Sequence, residues 1–274
     1  MKKAIPILIL LILFLSIPFI TSFIMGQADK DNYVFINDGG KTIKMDRNEF
    51  LVSAVISVSD ESFSDETLKA LATVFSTLLE YEEIKADSQR GILLVDADSV
   101  EKDFKSRVEA AVQLCGKNVL LYQGKPIYSV YHKSSSGRTL NAENVFGQKF
   151  DYLVSVESDE TVGEQVFSQS ELKEKIGITS DFSVTLFNDD NSVCEVSAGE
   201  MTFSGAEFRV KLGIVSPVFS LREENGNLYV SYKGEGHGVG LSLMGAQALA
   251  EKGMTAEEIL SHYYFGVEIA KIVQ

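Results

Sequence analysis

Beyond residue 64 the apolar positions follow a helical period. Leu68, Leu71, Phe75, Leu78 and Leu79 form one stripe, and Lys69, Thr73, Ser76 and Glu80 share the opposite face. Ser64 is a candidate N-cap, and Asp65 and Glu66 fall in the first turn, where acidic side chains suit the helix dipole. A second periodic stretch, residues 99–115, turns Phe104, Val108, Ala111 and Val112 inward and stops at Gly116. Cys115 lies on that inward stripe and is expected as a buried, unreactive thiol. Residues 241–252 read as a helix ending at Gly253. Thr255 and Glu258 then form a capping box that opens a last helix running to Tyr264.

Other stretches follow the alternation and turn chemistry of strands. Residues 33–36 and 42–45 flank an Asp38-Gly39-Gly40 turn. Residues 118–122 and 127–131 flank Gln123-Gly124-Lys125-Pro126, a hairpin signal. Residues 183–187, 207–212 and 228–232 are short β-like runs between Gly, Asn and Asp turns. Residues 48–58 are apolar throughout, which fits a helix or a buried strand equally. Helices and strands mix without regular βαβ alternation, so the expected class is α+β in a single unit over residues 29–274.

The first 28 residues stand apart. Residues 4–25 form an uncharged apolar run behind Lys2 and Lys3, long enough to cross a bilayer core. The two lysines keep the short N-terminus on the cytoplasmic side. The competing expectation is a cleaved signal segment ending at Gly26-Gln27-Ala28, but the run is long for that, and a retained membrane anchor is favoured. Both place residues 29–274 outside the cytoplasm.

Charge narrows the function classes. Lys+Arg 25 against Asp+Glu 39 gives −14 over 274 residues, which argues against nucleic acid as a partner, since that binding needs excess positive charge. Two cysteines exclude a Cys₄ zinc site and allow one disulfide at most. His132, His237 and His262 show no metal-binding spacing, so no metal or cofactor is expected. Two loops carry candidate chemistry. Residues 234–240 surround His237 with glycines just before a helix that carries Ser242, so a ligand can approach main-chain N–H groups closely. The alternative is a tight turn whose histidine completes a hydrogen-bond network. After a strand end, His132 is followed by Ser134, Ser135, Ser136 and Thr139, a run of hydroxyls suited to a polyol such as a sugar or to an ordinary polar loop.

Together these blocks resemble the stage II sporulation protein D family, the SpoIID/LytB domain. GEGHGVGLSLMGAQALAEKGMTAEEILSHYYFGVEI is similar to the family's signature stretch, and RVEAAVQLCGKNVLLYQGKPIYSVYHKSSSGRT to its helix–hairpin–serine block. FSGAEFRVKLGIVSP resembles the elements before the signature, and NEFLVSAVISVSDESFSDETLKALATVFSTLLEY the opening helices. The resemblance spans roughly residues 45–270. It implies a lytic transglycosylase acting on peptidoglycan during engulfment of the forespore, in which one carboxyl group first donates and then takes up a proton. The position of the family's catalytic glutamate is Val58 here. The family's lysine is kept as Lys69, its next glutamine and arginine fall on Leu71 and Ser76, the signature glutamine falls on Leu243, and Phe146 stands where the family has tryptophan.

The expectation is therefore a sporulation-associated peptidoglycan-remodelling protein with weakened catalysis that acts by binding glycan or partners. An active enzyme using Glu61 or Glu66, and a non-catalytic envelope scaffold, stay open as alternatives. Expected glycan contacts are Lys69, Ser134, Ser135, Ser136, Thr139, His237, Gly238 and Ser242. Glu66 at a helix start is expected to be ionised and structural. The resemblance adds, as partners, a membrane protein and a second cell-wall hydrolase.

Overall fold

A computed structural model describes residues 33–38, 41–81 and 94–272. The chain is mixed α+β, with eight α-helices and several small sheets among the described residues. The apolar run at residues 4–25 lies outside them, and no described helix is long and apolar enough to cross a membrane.

Tyr33–Asp38 and Lys41–Asp46 form an antiparallel hairpin that leads into α1 (Arg47–Val58). Asp46 caps this helix by accepting from the backbone N–H groups of Asn48 and Glu49, at 2.8 and 3.2 Å. Residues 50–56 are all buried, so the helix has no polar face. That is why periodicity left the segment undecided between helix and strand.

The predicted N-cap Ser64 opens α2 (Asp65–Glu80), and α3 (Lys102–Cys115) packs along it. The latter starts three residues later than predicted, because Ala97–Ser99 forms a separate 3₁₀ turn capped by Asp96. These helices, with strand Asn118–Tyr122, enclose the larger core around Leu51, Leu68, Leu71, Phe75 and Leu120. Arg47 joins the start of α1 to the end of α2, bonding Glu80 at 2.9 Å and the buried Ser76 hydroxyl at 3.0 Å. The position at which the resemblance expects an arginine is thus a serine that receives one from another helix.

The hairpin after Tyr122 is shorter than predicted. Lys125–Pro126 pairs back, followed by one bond from the Ile127 N–H to Leu120 O, with Gln123 and Gly124 both at positive φ in the turn. Tyr131–His132 pairs instead, in parallel, with Leu241–Ser242. The sequence between them holds α4 (Ala142–Phe146) and a second, smaller core built entirely from residues 167–230. Two three-stranded antiparallel sheets, α5 (Gln169–Ile176) and α6 (Gly205–Leu212) make it up. Residues 207–212, expected as β-like, are the helix α6. Ser204 caps it by accepting from the N–H of Glu207 at 3.1 Å, a local signal stronger than the apolar alternation. The chain then returns through the glycine loop to α7 (Leu243–Glu251) and α8 (Ala256–Tyr263), which complete the first core. The predicted capping box of Thr255 and Glu258 is formed.

Candidate functional site

The serine block and the glycine block lie along each other as two zipped segments. Ser134 and Glu235 exchange backbone hydrogen bonds at 3.1 and 2.9 Å. Leu241 N–H donates to Val130 O, Leu140 N–H to Gly238 O and Met244 N–H to Lys133 O. Two glycines permit this approach. A Cβ on Gly240 would strike the Val130 carbonyl and one on Gly234 the Ser134 carbonyl, and both residues are at positive φ.

The hydroxyls of the serine block point inward. Ser134 bonds Thr161 at 2.6 Å, Ser135 bonds His132 Nε2 at 2.8 Å, and Thr139 donates to Val154 O at 3.3 Å. Ser134, Ser135, Thr139 and Ser242 are buried, and the half-buried Ser136 donates to Arg138 O. These groups hold the loop in shape. The groups of this region that reach solvent are instead the partly exposed His237, the exposed Phe146 ring 5.3 Å from it, and the Lys133–Glu235 ion pair.

Backbone partners fix the protonation of both histidines. A carbonyl only accepts, so His132 Nδ1 donates to Val239 O at 3.1 Å, and its Nε2 accepts from the Ser135 hydroxyl. His237 Nδ1 accepts from the Val239 N–H at 3.1 Å, which leaves its proton on Nε2. Burial pushes His132 down to about 4 and His237 to about 3, the latter also through its neighbours His132 and Arg209. Both rings are neutral at pH 7, and neither serves as a general acid there.

Asp159 stands in no motif of the sequence. Its carboxylate accepts from Ser242 Oγ at 2.6 Å, Ser158 Oγ at 3.0 Å and the Ser135 N–H at 3.2 Å, and so clamps the serine loop to the start of α7. Apart from the adjacent Ser158, the partners lie 24 and 83 residues away, beyond the reach of any local pattern. Gln247 was also missed. It binds the α1–α2 turn to α7, accepting from Ser64 N–H and Thr67 Oγ1 and donating to Ser62 O. That turn follows Val58, the last residue of α1, and carries Glu61. Arg107 pins it further by donating to the carbonyls of Glu61 and Phe63 and to Asp65.

Glu61 is exposed on this turn. Glu66 accepts from Lys69 at 2.7 Å and from the Ala256 N–H at 2.8 Å, so it caps α8 from α2. These two bonds, Lys69 first, hold its carboxyl below the usual range. Lys69 does not join the serine and glycine loops. It lines a separate cavity of about 260 Å³ with Cys115, which is half-buried at the cavity wall rather than enclosed in the core. Burial raises that thiol's pKa. Among the described residues, no cluster of three or more His, Cys, Asp or Glu side chains is arranged to hold a metal ion.

These features define an α+β protein in which two distant loop blocks are zipped beside a helix turn. No protein-family model matches the chain. Stage II sporulation protein D of Bacillus amyloliquefaciens is 28% identical over 253 residues, covering 81% of this chain and 74% of that protein. Its namesake in Bacillus subtilis is 27% identical over 254 residues, with the same coverage. An uncharacterized protein of Brachyspira hyodysenteriae is 27% identical over 234 residues, 74% of this chain and 61% of that one. The chain is a homologue of stage II sporulation protein D, as its motif blocks led one to expect.

Proposed function

We propose that this is a sporulation-associated protein of peptidoglycan remodelling that binds glycan strands and has weakened or lost lytic activity. In this reading the N-terminal segment anchors it to the membrane. The ectodomain lies outside the cytoplasm, where it can also hold a membrane protein and a second wall hydrolase together. The observation that carries the reading is the state of the carboxyl groups near the expected acid. Position 58 is valine, and the one carboxylate retained from the opening motif, Glu66, is held ionised by Lys69 and Ala256. Lytic cleavage needs a protonated carboxyl to donate to the leaving glycosidic oxygen. The resulting carboxylate then takes the proton of the muramic 6-hydroxyl as that oxygen closes on the anomeric carbon. An ionised Glu66 cannot begin this sequence.

One observation favours a second reading, an active enzyme. Glu61 lies exposed three residues beyond Val58, on a turn whose backbone Arg107 holds in place.

The full chain, purified in mild detergent, should be incubated with peptidoglycan both intact and stripped of stem peptides. Co-sedimentation and mass spectrometry for anhydro-muramyl ends are then read on the same samples. Binding without anhydro ends is expected. Anhydro ends that vanish in Glu61→Gln would establish the second reading, and absence of both binding and cleavage would leave the envelope scaffold.

A further inference from the structure

We infer that the cavity beside Lys69 is a binding site for the carboxyl end of a short peptide. The cavity lies where α2, the end of α3 and the start of α8 meet, and no residue of the serine or glycine loops lines it. Its walls divide by chemistry. Leu260 and Ile269 supply an apolar floor, while Lys69, Glu66, Glu257, Asn118, Cys115 and two threonines supply polar groups.

The hydrogen-bonding capacity left over selects the ligand. One of the three ammonium donors of Lys69 goes to Glu66, which leaves two for an incoming oxygen. Lys69 and the N–H of Ala256 each take one Glu66 oxygen, so this carboxylate positions the lysine. The side-chain amide of Asn118 carries a donor and an acceptor, the pair a peptide group needs, and its backbone is already paired with Lys271. A terminal carboxylate on Lys69, a peptide group on Asn118 and a small apolar side chain on Leu260 and Ile269 use the lysine, the amide and the apolar floor once each. The exposed Glu257 also lines the cavity, so its charged side chains sum to −1, which rules against a polyanion and leaves the two free donors of Lys69 to select a single carboxylate. The volume suits a ligand of about two small residues and excludes a folded partner.

The inference rests on the proposed function only for the source of the peptide, which on that reading is the stem of peptidoglycan. Cys115 supplies the readout, because an occupied cavity shields its thiol, and Cys194 on strand Val193–Ala198 of the second core serves as internal reference. The full chain is alkylated with iodoacetamide alongside acetyl-alanyl-alanine as free acid or as C-terminal amide, and each cysteine is followed by mass spectrometry. At about ten times the half-protecting concentration, the acid should slow Cys115 about tenfold and leave Cys194 unchanged. The amide should protect much less, and both Lys69→Met and Asn118→Ala should weaken protection by the acid. No protection, equal protection by acid and amide, or protection unchanged in both variants overturns the site. Peptidoglycan fragments with intact stems should protect as well. If the synthetic acid protects and these fragments do not, the stem is excluded as the source. Binding of stripped glycan is read in a separate assay, so either idea can fail alone.

Discussion

At the scale of single residues, the two site histidines tie the stability of the protein to pH. A histidine titrates near 6.5 in an unfolded chain, while burial holds His132 near 4 and His237 near 3 in the folded one. The unfolded chain therefore binds more protons as the pH falls below about 6.5, and stability declines in that direction. Above about pH 7 both states carry neutral rings and the contribution is flat. Between about pH 6 and pH 4 each histidine costs at most about 1.4 kcal/mol per pH unit, the two together about twice that. The lowered carboxyls of Glu66 and Asp190 add to the loss only at still lower pH. Urea unfolding followed from pH 7 to pH 5 should show this slope, and His132→Gln should reduce it by about half. A slope unchanged in that variant would mean that the ring is not held neutral by its burial against Val239 and Ser135.

At the scale of elements, position 58 has a property that its valine leaves unused. It is the last residue of α1, at the negative end of the helix dipole. A carboxyl group there is disfavoured as an anion, which raises its pKa in the direction a general acid needs, whereas Glu66 near the start of α2 is pushed the other way. Val58 is half-buried against the core, so Val58→Glu should cost only about 1 kcal/mol of stability. It should also produce anhydro-muramyl ends from glycan where the wild-type chain produces none. A folded Val58→Glu protein that binds glycan and does not cleave it would place the defect at Leu71, Ser76 or Leu243 instead. The elements themselves were unevenly legible. The caps at Ser64 and Thr255 could be read because a cap is a local pattern of three or four residues. The short parallel pairing of Tyr131–His132 with Leu241–Ser242 could not, since it joins strands 110 residues apart with two residues each. For the same reason the site was half visible. His237 and the serine run stood out as motifs, but Asp159 and Gln247, which bind those motifs to their neighbours, lie in unremarkable acidic and helical stretches.

At the scale of the whole molecule, the sequence suggested one unit, and the chain contains two hydrophobic cores. Polar groups lock them together at two places. Arg209 on α6 donates to Val215 O and Gly236 O, tying the smaller core to the glycine loop. Asp190 accepts from the Asn141 N–H at 3.0 Å and Asn144 Nδ2 at 2.9 Å on one side, and from Ser192 N–H and Oγ at 3.1 and 2.6 Å on the other. Burial alone would raise the pKa of this carboxyl, but the bonds from Ser192 and Asn144 outweigh it and keep the group ionised. Removing it leaves donors from both sides without an acceptor, so Asp190→Ala should cost about 1.5–3 kcal/mol. The loss should be local. Hydrogen exchange should quicken at residues 141–144 and 188–193, while the Leu120 amide, bonded to the buried Thr77 hydroxyl deep in the larger core, should keep its protection. Asn144→Ala removes only the bonds that cross between the cores and should reproduce the effect at residues 141–144 with little change at Ser192. If both variants instead speed exchange uniformly through both cores, the two unfold as one cooperative body and Asp190 is a general stabiliser. If the loss stays local, α4 and the Phe146 ring that faces His237 are held in place by the second core, which would then set the width of the open surface beside the glycine loop.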